Sequence, residues 1–166
     1  MPTPDPGLAP DARLRAELVA LLRGGNAHAD PRTILADIPP ERVNRHPDGL
    51  PYSLWQLVEH LRFTQRDILD FVRDPDYAAP EWPDAYWPGH EATPEEWERS
   101  RAAFLTDLDD VVALVEGPGA AFFSEFDHAP GYTLFREVLL VADHNAHHLG
   151  EVVVLRRLLG IWEPQT

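Results

Sequence analysis

The stretch Val141-Ala142-Asp143-His144-Asn145-Ala146-His147-His148-Leu149-Gly150-Glu151 decides how this chain folds. It lies inside a longer run from Thr133 to Leu159, in which Leu134, Val141, Val152, Leu155 and Leu159 recur on one side of a helix that Gly160 stops. At about 100° per residue, His144 and His148 fall roughly 40° apart around that helix. His148 lies within the apolar stripe and His144 on its near edge, so both imidazoles are expected to point inward. Imidazoles spaced i, i+4 can chelate one ion through neutral ring nitrogens.

Three other segments carry the same period. Leu14, Leu18, Leu21 and Leu22 place a helix from about Asp11, read as its N-cap, to Arg23, ended by Gly24-Gly25. Ser53 opens the next long helix, with Gln56 positioned for a capping box, and Leu54, Leu57, Leu61, Ile68 and Phe71 carry it to Arg73. Thr93-Pro94-Glu95-Glu96 supplies N-cap, N1 proline and capping-box glutamate for a third, which runs through Phe104, Leu108, Val111 and Val115 to Gly117-Pro118-Gly119. Asp30-Pro31 starts a short extra helix stopped by Pro39-Pro40, and residues 41–52 read as a polar connection. No strand is expected. The fold class is all-α, a four-helix bundle over residues 11–162 behind a flexible Pro-rich tail at 1–10. The connection from Asp74 to Thr93, with Tyr77, Trp82, Tyr86 and Trp87, is long for a bundle; it reads either as a cap on the core or as a lid facing a ligand.

His60 sits between Leu57 and Leu61 on the inward face of its helix, where a buried imidazole must find a partner. It is either an ordinary hydrogen-bonded core histidine or, with His144 and His148, part of the three-ligand set typical of catalytic metals, with positions left for water or substrate. His147 projects away from the stripe. Glu151 and Glu137 could be a fourth ligand, a hydrogen-bond acceptor for an imidazole, or merely solvated or ion-paired. His28, His46, His90 and His128 fall in connections and read as surface residues, and Asp143 as exposed.

Composition narrows the partners. The 166 residues are 44% hydrophobic, one domain's worth, and carry no cysteine, so thiolate ligands and disulfides are excluded. With 14 basic against 28 acidic residues and a formal charge of −14, neither nucleic acid nor an anionic membrane is an expected partner. The chain opens without a signal-peptide pattern and has no apolar run of about 18 residues, which reads as cytoplasmic. The last helix is also apolar on its far side through Leu139, Ala142, Ala146, Val153 and Val154, so a homodimer is expected.

Ser53-Leu54-Trp55-Gln56-Leu57-Val58-Glu59-His60-Leu61, together with Asp143–Gly150 and the following Arg156-Arg157-Leu158-Leu159-Gly160, resembles the DinB-like (YfiT-like) superfamily in order and spacing. The resemblance implies a four-helix bundle holding one divalent metal ion through His60, His144 and His148, and homodimers are common among its members. It also implies metal-dependent hydrolases, or transferases and isomerases that use low-molecular-weight bacterial thiols. Many relatives have Tyr where this chain has His147. Zn, Ni and Fe all suit imidazole ligands. Three readings stand: an enzyme acting on a small molecule through metal-activated water or thiol, a non-catalytic dimeric module that binds a metal or small ligand, and a purely structural helical dimer. Glu59 and Glu151 are the conceivable general bases.

Overall fold

A computed structural model describes residues 9–117 and 121–162. Four long helices make the bundle: α1 Pro10–Arg23, α3 Leu54–Arg73, α4 Pro94–Glu116 and α5 Leu134–Leu158, with the short α2 at Pro31–Ile34. Both capping boxes form, Ser53 with Gln56 and Thr93 with Glu96, each satisfying two backbone N–H groups that a helix start leaves open. Asp30 caps α2 through the N–H of Thr33, and Gly160 ends the last helix at φ 69°, a conformation that disfavours any residue with a Cβ. Asp11 does not cap α1. The cap position falls two residues earlier, at Ala9, because Pro10 suits the first helical position, and Asp11 pairs instead with Arg15 one turn on. Of the tail, residues 1–8 lie outside the described residues, as do Pro118 and Gly119.

A small antiparallel hairpin, β1 Glu125–Phe126 with β2 Ala129–Thr133, corrects the expectation of no strand. Its second strand contains Pro130 and Gly131, which hide it from any reading by period or propensity. It runs directly into Thr133, whose side chain accepts from the N–H of Arg136 and starts α5. The connection at 41–52 is also less polar than its composition: Val43 is fully buried and its carbonyl accepts from the N–H of Trp55. The far side of α5 is narrower than expected. Ala142 belongs to this chain's own core and Val153 packs against it, leaving Leu139, Ala146 and Val154 outward.

The core divides in two. One cluster gathers Leu54, Leu57, Leu61, Trp97, Phe104, Leu149 and Leu155; the other gathers Leu18, Ile68, Leu108, Val111, Val138 and Val141. Between them a polar layer crosses the bundle, built from His60 and Gln65 on α3, Asp107 on α4, and His144, Asn145 and His148 on α5. Gln65 bonds Asn145 and the Phe104 carbonyl, and Asp107 pairs with Arg66. Polar groups taken from water in this way cost stability unless they bond one another. No described helix is long and apolar enough to cross a membrane.

Candidate metal centre

The polar layer brings three imidazoles together. His60 is 2% exposed, and the His148 side chain 13%. Nε2 of His60 lies 3.1 Å from Nε2 of His144, and one ring nitrogen from each of His60, His144 and His148 falls within 4.8 Å of the others. The ring centroids are 4.9 Å apart for His60 and His144, 4.8 Å for His60 and His148, and 4.6 Å for His144 and His148. The sequence-derived triad is thus assembled from two helices, at the inward positions that helical spacing assigns.

Hydrogen bonds to the opposite ring nitrogens aim two of the three. Nδ1 of His60 donates to the Tyr86 carbonyl at 3.0 Å, and Nδ1 of His148 donates to Glu151 at 2.6 Å. A neutral imidazole that gives its proton at Nδ1 keeps a lone pair at Nε2, the arrangement a metal ligand needs. His144 differs. With His60 Nε2 fixed as an acceptor, the short His144–His60 approach needs the proton on His144 Nε2, which leaves its buried Nδ1 without a partner; Oδ1 of the neighbouring Asn145 is equally unpartnered. Moving that one proton to Nδ1 makes it a donor beside Asn145, whose side chain interacts with the ring, and frees the third lone pair. Asn145 is itself anchored: its amide donates to Gln65 at 2.8 Å, and Gln65 donates to the Phe104 carbonyl at 2.8 Å.

Burial favours the neutral form of His60 and His144. Burial lowers the pKa of His60, partly opposed by the bond to Tyr86. His144 is pushed down to about 3, chiefly by burial and then by the nearness of His148 and His60. Neutral rings can coordinate without first losing a proton to solvent. Metal–nitrogen bonds of about 2.0–2.1 Å at a tetrahedral angle set two nitrogens about 3.3 Å apart, close to the His60–His144 separation. The donor set, its orientation and the orphaned nitrogen all fit a bound cation.

The long connection shapes the outer side of the site. Trp87 stacks on His60 with ring centroids 4.0 Å apart and 3° between planes, and Tyr52 stacks on the same indole at 4.9 Å. Hydroxyls of Tyr77 and Tyr86 pin the loop to Asp67 at 2.6 and 2.9 Å, and Trp55 Nε1 donates to the His90 carbonyl at 2.8 Å. Burial, and then the bond to Asp67, push Tyr86 up to about 12, so its phenol stays protonated. The two readings of this loop therefore divide by residue. Tyr86 is buried and Trp87 faces the histidines, whereas Trp82 is 67% exposed.

Other singled-out residues fall elsewhere. Glu137 is buried, paired with Arg136 near the start of α5, and does not join the triad. Glu59 accepts from Arg62 and Ser100, so it faces α4. Glu151 is occupied by His148, with His147 Nε2 at 3.8 Å from its other oxygen. His147 is exposed, as expected. It forms with His148 and Glu151 a second group with metal-compatible spacing, but one that uses the same glutamate that holds His148. His46 bonds Gln56, His90 approaches Glu96, His28 turns to the carbonyl of Ala29 and His128 to that of Phe71. Gln65 and Asn145 were missed, although their spacing marks them: Gln65 lies between Leu61 and Ile68, and Asn145 between Val141 and Leu149. Trp87 and the Tyr86 carbonyl had no such signal.

The fold and the site together define a helical bundle whose three inward histidines could hold one metal ion. The family model of the DinB superfamily matches residues 24–152, and the chain belongs to that superfamily. No curated protein matches it.

Proposed function

We propose that this protein is a metal-dependent enzyme in which His60, His144 and His148 hold one divalent ion, Zn, Ni or Fe. The reaction is hydrolysis of a small molecule, or transfer of a low-molecular-weight thiol to one. The observation that carries this reading is a donor set of three with no fourth: among the described residues no other His, Asp or Glu joins the triad. Three neutral protein ligands are typical of catalytic sites, and four of structural ones. When bound, the ion would keep its +2 charge and lower the pKa of a water or thiol beside it. The chain's own residues then orient and desolvate. Tyr86 and Glu151 hold two rings by their Nδ1 protons, the Asn145–Gln65 chain receives the third, and Trp87 shields His60 from water. Glu59 and Glu151 are both engaged, so neither is assigned as a general base.

The test is turnover by metal-loaded protein against esters, amides and thiol–electrophile pairs, beside metal-stripped protein and His144→Ala. Activity that needs both the ion and His144 supports the reading. A loaded protein that binds its ion and turns over none of these substrates would instead make it the non-catalytic metal-binding module.

A further inference from the structure

The last turn of α5 holds a buried charge without a counter-ion. Arg156 is 5% exposed, and among the described residues no carboxylate pairs with it. Its guanidinium donates to backbone carbonyls instead: Nε and Nη2 to Ile161, and Nη1 to Ile34 and, at 3.5 Å, to Thr33. One N–H on Nη2 is left with no acceptor among the described residues. A cation taken from water costs stability unless it is both hydrogen-bonded and paired, and carbonyls supply only the first. Burial accordingly lowers the Arg156 pKa, against the opposing pull of Asp37. Arg156 borders a hollow of about 500 Å³, within the roughly 300–1,000 Å³ of small-molecule sites.

The rest of the lining says what the hollow takes. Asp37 borders it too, exposed and with no side-chain hydrogen bond among the described residues. It is near enough to pull on Arg156 and too far away to pair with it. At φ 52° it is also the one non-glycine residue in the left-handed region among the described residues, a conformation that gathers at ligand sites. Ala36, Pro39 and Ile161 add apolar wall, as does Trp162, whose ring lies 4.8 Å from the guanidinium. A simple anion would meet Arg156 but be repelled by Asp37 and by the net charge of −14. A simple cation would leave Arg156 uncompensated. We propose that this hollow binds a small zwitterion, an α-amino acid with an apolar side chain, whose carboxylate meets Arg156 and whose ammonium meets Asp37. The carboxylate supplies the missing counter-charge and accepts from the spare Nη2 hydrogen, while the side chain lies against Trp162. At about 1.5 Å per residue, Arg156 stands about 12 Å along α5 from His148, so the site is separate from the histidines and does not depend on their taking up a metal.

NMR of the full chain tests this through the Trp162 indole N–H signal, assigned by its loss in Trp162→Phe. Three probes share one shape: L-phenylalanine, 3-phenylpropanoate and phenethylamine. L-Phenylalanine is expected to move the signal saturably at millimolar concentration. The acid and the amine each lack one charge and should bind about fivefold more weakly. Asp37→Asn should keep the fold, since its side chain is exposed and asparagine tolerates the left-handed conformation, and circular dichroism checks that. This variant should bind L-phenylalanine about fivefold more weakly and lose the preference for it over 3-phenylpropanoate. Wild type that shows no saturable shift with L-phenylalanine would overturn the proposal and leave Arg156 as a clamp between α2 and α5. Equal binding of either single-charge probe by wild type would overturn it as well, as would an Asp37→Asn variant that keeps the wild-type preference.

Discussion

Glu151→Ala removes the acceptor that fixes His148, and its effect can be worked from the hydrogen bond lost. The bond is 2.6 Å long and its acceptor is charged. Hydrogen bonds to charged groups contribute about 1.5–3 kcal/mol, and each 1.4 kcal/mol is about tenfold in an equilibrium constant. Full expression in the metal-bound state would weaken affinity by about 10- to 100-fold, the span seen when such supporting residues are changed. The Glu151 side chain is 35% exposed, so water can replace part of the bond and the lower end, about tenfold, is expected. Glu151→Gln keeps an acceptor oxygen and should lose only about threefold. Competition against a chromophoric chelator at fixed pH measures both. Urea denaturation of the metal-free variants checks the fold and should show little change, since neither substitution opens a cavity. An alanine variant with wild-type metal affinity would refute the role given to Glu151.

Trp87→Ala removes two stacked partners, His60 and Tyr52, at about 0.5–1.5 kcal/mol each; a loss of about 1–3 kcal/mol should appear in the urea midpoint at constant slope. Gln65→Leu leaves the buried Asn145 amide without its acceptor and should cost about 1–3 kcal/mol by thermal denaturation, and Gln65→Leu with Asn145→Leu should recover part of it because both polar partners go. A double variant less stable than the sum of the two single losses would count against that coupling. Asp107 is buried with one carboxylate oxygen unpartnered, and burial raises its pKa against the opposing pull of Arg66. The native state therefore holds this proton more tightly than the unfolded chain does. Its contribution is full below the unfolded pKa and declines as pH rises through the higher folded value. Relative to wild type, Asp107→Asn should thus gain most at neutral pH and lose that advantage on acidification, measured by paired urea titrations at pH 7 and pH 4; a gap that widens toward acid would contradict the sign.

Local chemistry was the most legible part of the sequence. Ser53 with Gln56 and Thr93 with Glu96 specify helix starts within four residues, and no tertiary context intervened. His60, His144 and His148 could be placed because helical spacing puts each against an apolar stripe, and the bundle needs only to face those stripes together. What supports the histidines was harder to read. A backbone carbonyl such as that of Tyr86 carries no sequence signature, and the path that brings Trp87 to His60 is set by Asp67, which holds the Tyr86 hydroxyl, by Asn44, whose side chain accepts from the Ala92 N–H, and by Trp55, which holds the His90 carbonyl. Gln65 and Asn145 were readable by position but not by type, since a hydrophobic pattern passes over polar residues that bond one another inside a core. The hairpin at 125–133 was invisible for the opposite reason, its strands being too short and too rich in Pro and Gly to show a period.

The most direct measurement is elemental analysis of untagged, natively purified protein, comparing wild type with His60→Ala, His144→Ala and His148→Ala. One divalent ion per chain in wild type, with each substitution leaving it substoichiometric, is the expected result. Stoichiometric metal retained by His148→Ala would contradict the three-histidine site, whatever activity the protein has.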